Sequence, residues 1–144
     1  MQTQQVWNFI FSLFFVVVLA AAVWGLYVLR GEFPTSVPIF DAILMALAAF
    51  RITRLLVYDK ITLWFRNLFP EGGGFLGTVR DLLHCPWCVG FWGALAVCFA
   101  YFVFPWAWFV IFFLALAGAG SLLQVVGNLV GWKAEQLKRT TERL

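Results

Sequence analysis

Apolar residues run along this chain in long stretches, not in the short alternations of a soluble fold. The first stretch, residues 6–29, is interrupted only by Asn8 and Ser12. About 20 such residues in a helix cross a hydrocarbon core of ~30 Å. A second stretch, residues 37–57, has Pro38 near its first turn and Arg51 and Arg54 in its second half; ending it before Arg51 would leave it too short to cross. A third covers residues 87–104 and a fourth 106–131, separated by Pro105 in a turn that leaves room only for antiparallel neighbours. Trp106, Trp108 and Trp132 suit the two membrane interfaces of the last stretch. The pattern predicts an all-α, polytopic integral membrane protein with about four transmembrane helices in one domain over residues 1–144.

The first stretch also invites comparison with a cleaved leader, because Ala20, Ala21 and Ala22 resemble a small-residue processing site. Residues 1–5 lack the positive charge of such a leader and the apolar run is too long, so a retained span is expected. With four spans, the N-terminus, the connection 58–86 and the tail 132–144 share one side. Lys60, Arg66, Arg80, Lys133, Lys138, Arg139 and Arg143 fall there, whereas Arg30 alone falls opposite, beyond which the chain turns at Phe33. The basic side faces the cytoplasm by the positive-inside rule, which places both termini inside.

The connection has a pattern of its own. Ile61, Trp64, Phe65 and Leu68 recur at helical spacing, with Lys60, Thr62, Arg66 and Asn67 on the opposite arc. This predicts an amphipathic helix lying in the headgroup plane between the second and third spans. Pro70 and the run Gly72-Gly73-Gly74 end it, and a short apolar stretch, residues 75–83, leads on. The tail reads as a solvated continuation of the last helix.

Composition agrees with this picture: 63% of residues are apolar, 12% are charged and the mean hydropathy is +0.90, far from a soluble domain. The net charge of +3 does not call for a nucleic-acid partner, because the basic residues flank apolar runs. The expected partners are the bilayer and either a second copy or another membrane protein.

Two groups of residues could carry chemistry. Arg51 and Arg54 share a helix face, and charges at membrane depth need partners or an aqueous path. Asp59 is the obvious counter-ion, while Gln124 and Asn128, one turn apart on the last span, reach the same depth as hydrogen-bond partners. Together they form a candidate intramembrane polar network. Ala117, Ser121, Gln124, Asn128 and Gly131 line one face suited to close helix contact, within the chain or with a second copy.

The second group is Cys85-Pro86-Trp87-Cys88, preceded by His84. Pro86 suits the first position of a helix, which places Cys85 where the helix dipole favours a thiolate. Three readings stay open: inert thiols, a redox couple, or half of a zinc site with His84 as a poorly placed third ligand. No cofactor is expected, and zinc is the one candidate. Cys98, inside the third span, reads as a small core residue.

Two blocks carry a resemblance to a known family. Residues 49–61 supply Arg51, Thr53, Arg54, Leu55 and Asp59, and residues 82–92 supply Cys85, Cys88, Gly90 and Trp92. In this order they resemble the bacterial and phage membrane family known as the domain of unknown function thirteen-sixty. The resemblance covers about residues 40–115, omits the first span and the tail, and implies a bacterial or phage source. It brings no activity to transfer.

The expected function is therefore a structural or interaction role in the bacterial inner membrane, with Arg51, Arg54 and Asp59 organising the inner end of a helix bundle. No Gly-rich phosphate loop and no Ser/His pair compete with it. A thiol-disulfide or metal-binding protein is one alternative, although the pair is expected to face a reducing compartment. A holin-like pore former is the other.

Overall fold

The computed structural model describes residues 2–31, 36–69 and 72–142. The turn at Phe33, the helix-ending Pro70 and the basic Arg143 lie outside the described residues. Among the described residues there is no strand, and six α-helices follow one another: α1 (Gln2–Arg30), α2 (Ile39–Val57), α3 (Leu63–Arg66), α4 (Phe75–His84), α5 (Pro86–Val103) and α6 (Ala107–Thr141). A 3-10 turn, Lys60–Thr62, leads into α3.

Three segments are long and apolar enough to cross a membrane: Gln5–Arg30, Pro86–Val103 and Ala107–Thr141. The helix α2 is set apart by Asp41, Arg51 and Arg54 within its 19 residues. It is nevertheless the helix on which both α5 and α6 pack. Leu44 and Ala48 of α2 are buried with Val97 of α5 and Ala107, Ile111 and Ala115 of α6, and these residues form the core.

The approach of α6 to α2 is set by Gly118. A Cβ built there would lie 2.4 Å from the Leu47 carbonyl oxygen, closer than any side chain can sit against backbone. On the opposite flank, Gly93 of α5 lies against Ile52 and the Ala49 carbonyl. The helices α5 and α6 are joined through Phe104–Trp106, with the Ala107 N–H donating to the Phe104 carbonyl. Beyond that turn each packs chiefly on α2 rather than on the other.

The first helix is peripheral and holds on through aromatic rings. Trp7 and Phe11 meet Phe75 of α4 with ring centres 5.8 and 5.5 Å apart, and Phe15 meets Trp92 of α5 edge-on at 4.9 Å. The edge-on geometry favours the ring quadrupoles.

The connection departs from the continuous amphipathic helix that its spacing predicts, because it is a 3-10 turn followed by a single α-turn. Side chains on the polar arc cause the break. The Thr62 hydroxyl donates to the carbonyls of Leu55 and Asp59, and the Arg66 guanidinium donates to the Asp59 carbonyl at 3.0 Å. Arg66 is thereby buried, while Ile61, Trp64 and Leu68 stay exposed. Thr62 and Arg66 face the protein, whereas Lys60 and Asn67 of the same arc stay exposed and Phe65 is half-buried.

Beyond Ser121 every described residue of α6 is exposed. At 1.5 Å per residue the 35-residue helix is about 50 Å long, and its second half continues unbroken past the end of α2. Cys98, expected in the core, is exposed on α5 instead, because the core-facing side of that helix is taken by Val89, Gly93 and Val97.

Candidate functional site

The polar residues of α2 are gathered at its two ends. Near the start, Tyr101 of α5 donates its hydroxyl hydrogen to the Asp41 carboxylate. Near the end, Arg51 Nη2 lies 2.8 Å from Asp59 Oδ2, and Arg51 Nη1 donates to Ser121 Oγ of α6 at 3.1 Å. The Ser121 hydroxyl itself donates to the Ala117 carbonyl. One guanidinium thus joins α2, the connection that follows it and α6.

Ser121 takes the place expected of Gln124 and Asn128. Those two are exposed and bond to each other, Gln124 Nε2 to Asn128 Oδ1 at 3.3 Å, away from the arginines. The reason is angular. The Gly118 contact turns the Ala117–Ser121 side of α6 toward α2, and Gln124 and Asn128 stay on the exposed side.

Arg54 follows another course. Its guanidinium carbon lies 5.9 Å from the Phe50 ring centre and 5.7 Å from that of Tyr58, one helical turn to either side. Cation–π attraction of this kind suits a partly desolvated cation. Its Nε is buried without a hydrogen-bond partner. Asp59 serves Arg51 and not Arg54.

The thiol pair sits where α4 meets α5. Cys85 is the residue before the first helical position, Pro86, and its sulfur accepts the backbone N–H of Cys88 at 3.4 Å. The Cys88 thiol donates to Cys85 Sγ across 2.8 Å, and both cysteines are free. That thiol hydrogen bond, followed by the backbone N–H, lowers the Cys85 thiol below its ordinary value. His84 Nδ1 turns back to the Arg80 carbonyl, 2.8 Å away, as a residue one helical turn on readily does. Among the described residues no three His, Cys, Asp or Glu side chains converge as a metal site would require.

Both thiols open into a cleft of about 630 Å³ between α1, α4 and α5. From α1 come Asn8, Ser12 and Phe15, from α4 Thr78 and Asp81, from the junction Cys85, and from α5 Cys88, Phe91 and Trp92. Trp92 also lines a second, separate apolar groove of about 390 Å³ between α1 and α5, with Ala22 and Phe99 among its walls. The α1 wall was not anticipated from the sequence. Its signal is the spacing Trp7, Phe11, Phe15, an aromatic every fourth residue on one face.

Closing the floor of the connection, α4 begins at Gly74 with φ +90°, a conformation that favours glycine. A Cβ on Gly77 would fall 1.7 Å from the Gly72 carbonyl oxygen, so the glycine run folds directly against the first turn of α4.

Comparison with known proteins adds the following. Residues 44–74 and 70–127 match the model of a family described as protein of unknown function, DUF1360. Sporulation protein YjcA of Bacillus subtilis (strain 168) is 34% identical over 58% of this chain and 87% of the relative. UPF0713 protein YngL of the same organism is also 34% identical, over 57% of this chain and 74% of the relative. No solved structure matches. The matched region takes in the Arg51, Asp59 and Ser121 cluster and the thiol pair, and it excludes α1, so one wall of the cleft lies outside it.

Proposed function

We propose a function on one premise: the chain belongs to the DUF1360 family, proteins of unknown function. It acts as a structural and interaction protein of a bacterial or phage-derived cytoplasmic membrane, a bundle of four spans with both termini on the cytoplasmic side. The single observation that carries this reading is Arg51, whose charge at membrane depth is consumed inside the bundle by Asp59 and Ser121. A substrate site would leave such a charge available.

The helix α2 counts as the fourth span for the same reason. An interior helix flanked by α5 and α6 can carry charges that a lipid-facing helix cannot, and Asp41 and Arg51 each have a partner within the bundle. The connection lies along the membrane surface with Ile61, Trp64, Phe65 and Leu68 toward the lipid, a role supported by the exposure of Trp64 and the burial of Arg66. The exposed second half of α6, with Gln124 and Asn128, is the surface offered to a second copy or another membrane protein.

A test uses a background lacking reactive thiols (Cys85→Ser, Cys88→Ser, Cys98→Ser). In it, Gly73→Cys should react with a membrane-impermeant maleimide only once the cell is opened, and Arg51→Ala should lower the amount of protein held in the membrane. Labelling of intact cells would overturn the topology. Undiminished Arg51→Ala protein would overturn the structural role.

A second reading is favoured by one observation, the 2.8 Å approach of two free thiols. It makes Cys85 and Cys88 a thiol-disulfide or metal-binding pair. Zinc is the harder case, since the tetrahedral ion takes four ligands and His84 is turned away, so a second chain would have to supply the remainder.

A further inference from the structure

We propose that the inner end of α2 holds an anionic phospholipid by its phosphate, with Arg54 as the anchor and Lys60 as a second charge for the headgroup. Charge is the first observation. Between residues 51 and 69 stand Arg51, Arg54, Lys60 and Arg66 against the one carboxylate of Asp59. Arg51 takes that carboxylate, and the Arg66 guanidinium is occupied by the Asp59 carbonyl at 3.0 Å. Among the described residues no carboxylate pairs with Arg54 or Lys60, so positive charge is left over at this end of the helix.

Geometry is the second. Arg54 stands half-buried between the rings of Phe50 and Tyr58, its guanidinium carbon 5.9 and 5.7 Å from their centres. The rings steady the fork without bringing it an anion. Of its nitrogens Nε alone is buried without a partner, so Nη1 and Nη2 remain as open donors. A guanidinium presents parallel N–H groups that match two phosphate oxygens. Depth is the third. The Tyr58 and Asp59 N–H groups both donate to the Arg54 carbonyl, which puts Arg54 where α2 gives way to the connection. Ile61, Trp64 and Leu68 are exposed just beyond, and side chains of this kind lie among acyl chains below the headgroup plane. An anion that reaches this level brings its own apolar anchorage if it is a lipid, whereas a free phosphate has to leave water for an apolar edge. A zwitterionic head fits less well, because its own ammonium competes for the phosphate and repels Lys60.

This site rests on α2 crossing the membrane, which the Gly73→Cys labelling tests in cells. Lipid retention is read in detergent micelles, where the side that faces the cytoplasm has no bearing, so the two can fail separately. The full chain, stripped of co-purifying lipid, is mixed with dioleoyl phosphatidylglycerol, dioleoyl phosphatidylcholine or inorganic phosphate, and bound molecules are counted by native mass spectrometry. A single phosphatidylglycerol should be retained per chain at concentrations where phosphatidylcholine is not, and inorganic phosphate should not displace it. Arg54→Gln should weaken that retention roughly tenfold, and Arg54→Lys, which keeps the charge but not the fork, should weaken it less. Lys60 is exposed and outside the packing, so Lys60→Gln tests the site without a folding risk and should weaken retention roughly fivefold. Lys133→Gln, an equal loss of charge on the exposed part of α6, should change nothing. Equal retention of the two lipids, displacement by inorganic phosphate, undiminished retention in Arg54→Gln or in Lys60→Gln, or an equal effect of Lys133→Gln would each overturn it.

Discussion

Arg51 reaches eight residues along its own chain to Asp59, with 2.8 Å between Nη2 and the carboxylate, while its other terminal nitrogen holds Ser121 of α6. The side chains are 22% and 25% exposed, so the pair is neither a surface bridge nor a sealed one. Removing one partner leaves the other charge short of solvent, which costs more than losing a surface bridge. Arg51→Leu should therefore destabilise the bundle by about 2 kcal/mol, and Asp59→Asn by less, because the amide keeps an acceptor. In unfolding measured by circular dichroism in detergent, the double variant should lose less than the sum of the two single ones. Strict additivity would dissolve the coupling.

The contact at Gly118 makes a second expectation, with its own control. A methyl group added there meets the Leu47 carbonyl oxygen at 2.4 Å, so Gly118→Ala must push α6 away from α2. Overpacking of this kind costs ~1–3 kcal/mol. Gly127 lies on the same helix with nothing within 4 Å, and Gly127→Ala should stabilise the helix by up to about 1 kcal/mol. Opposite signs in the unfolding temperature are the expected outcome, and a loss at Gly127 would mean that a partner covers that face.

These two contacts show how far the sequence could be read. The long apolar runs give α1, α5 and α6 because a membrane solvent imposes length and composition on a helix. The pairing of Arg51 with Asp59 is similarly open to reasoning, since few carboxylates exist to choose from. What pattern could not supply was rotation. Gln124 and Asn128 lie at the right depth for Arg51, yet Gly118 turns Ser121 toward it instead. In the connection, helical spacing places Arg66 on one arc with Lys60 and Asn67, but the Asp59 carbonyl captures its guanidinium and it turns inward while they stay exposed. The cleft was invisible because α1 contributes to it through rings that also read as ordinary membrane-facing residues.

At the far end of α2, the Asp41 carboxylate accepts the hydroxyl hydrogen of Tyr101. Tyr101→Phe keeps the ring and removes the donor, leaving the carboxylate without it. A loss of about 1–2 kcal/mol is expected, and Asp41→Asn, which can still accept, should lose less. The same detergent unfolding reads it; a Tyr101→Phe variant as stable as the parent would overturn the contribution of the hydrogen bond.

The thiol pair gives a pH dependence with a definite sign. Alkylation proceeds through the thiolate, and the Cys88 thiol, then its backbone N–H, hold the Cys85 thiol below the ordinary 9.0. Cys85 should therefore reach its full rate with iodoacetamide at a lower pH than an ordinary cysteine, and be the faster at neutral pH. Cys88→Ala removes the leading cause while keeping the backbone N–H, so the midpoint of the pH–rate curve should move upward. For each unit that it rises, the thiolate present at neutral pH falls about tenfold. Peptide mass spectrometry of the alkylated chain across pH 6 to 10 would resolve Cys85 from Cys98 in one sample. An unmoved midpoint in Cys88→Ala would mean that the helix terminus, and not the neighbouring thiol, sets the reactivity of Cys85.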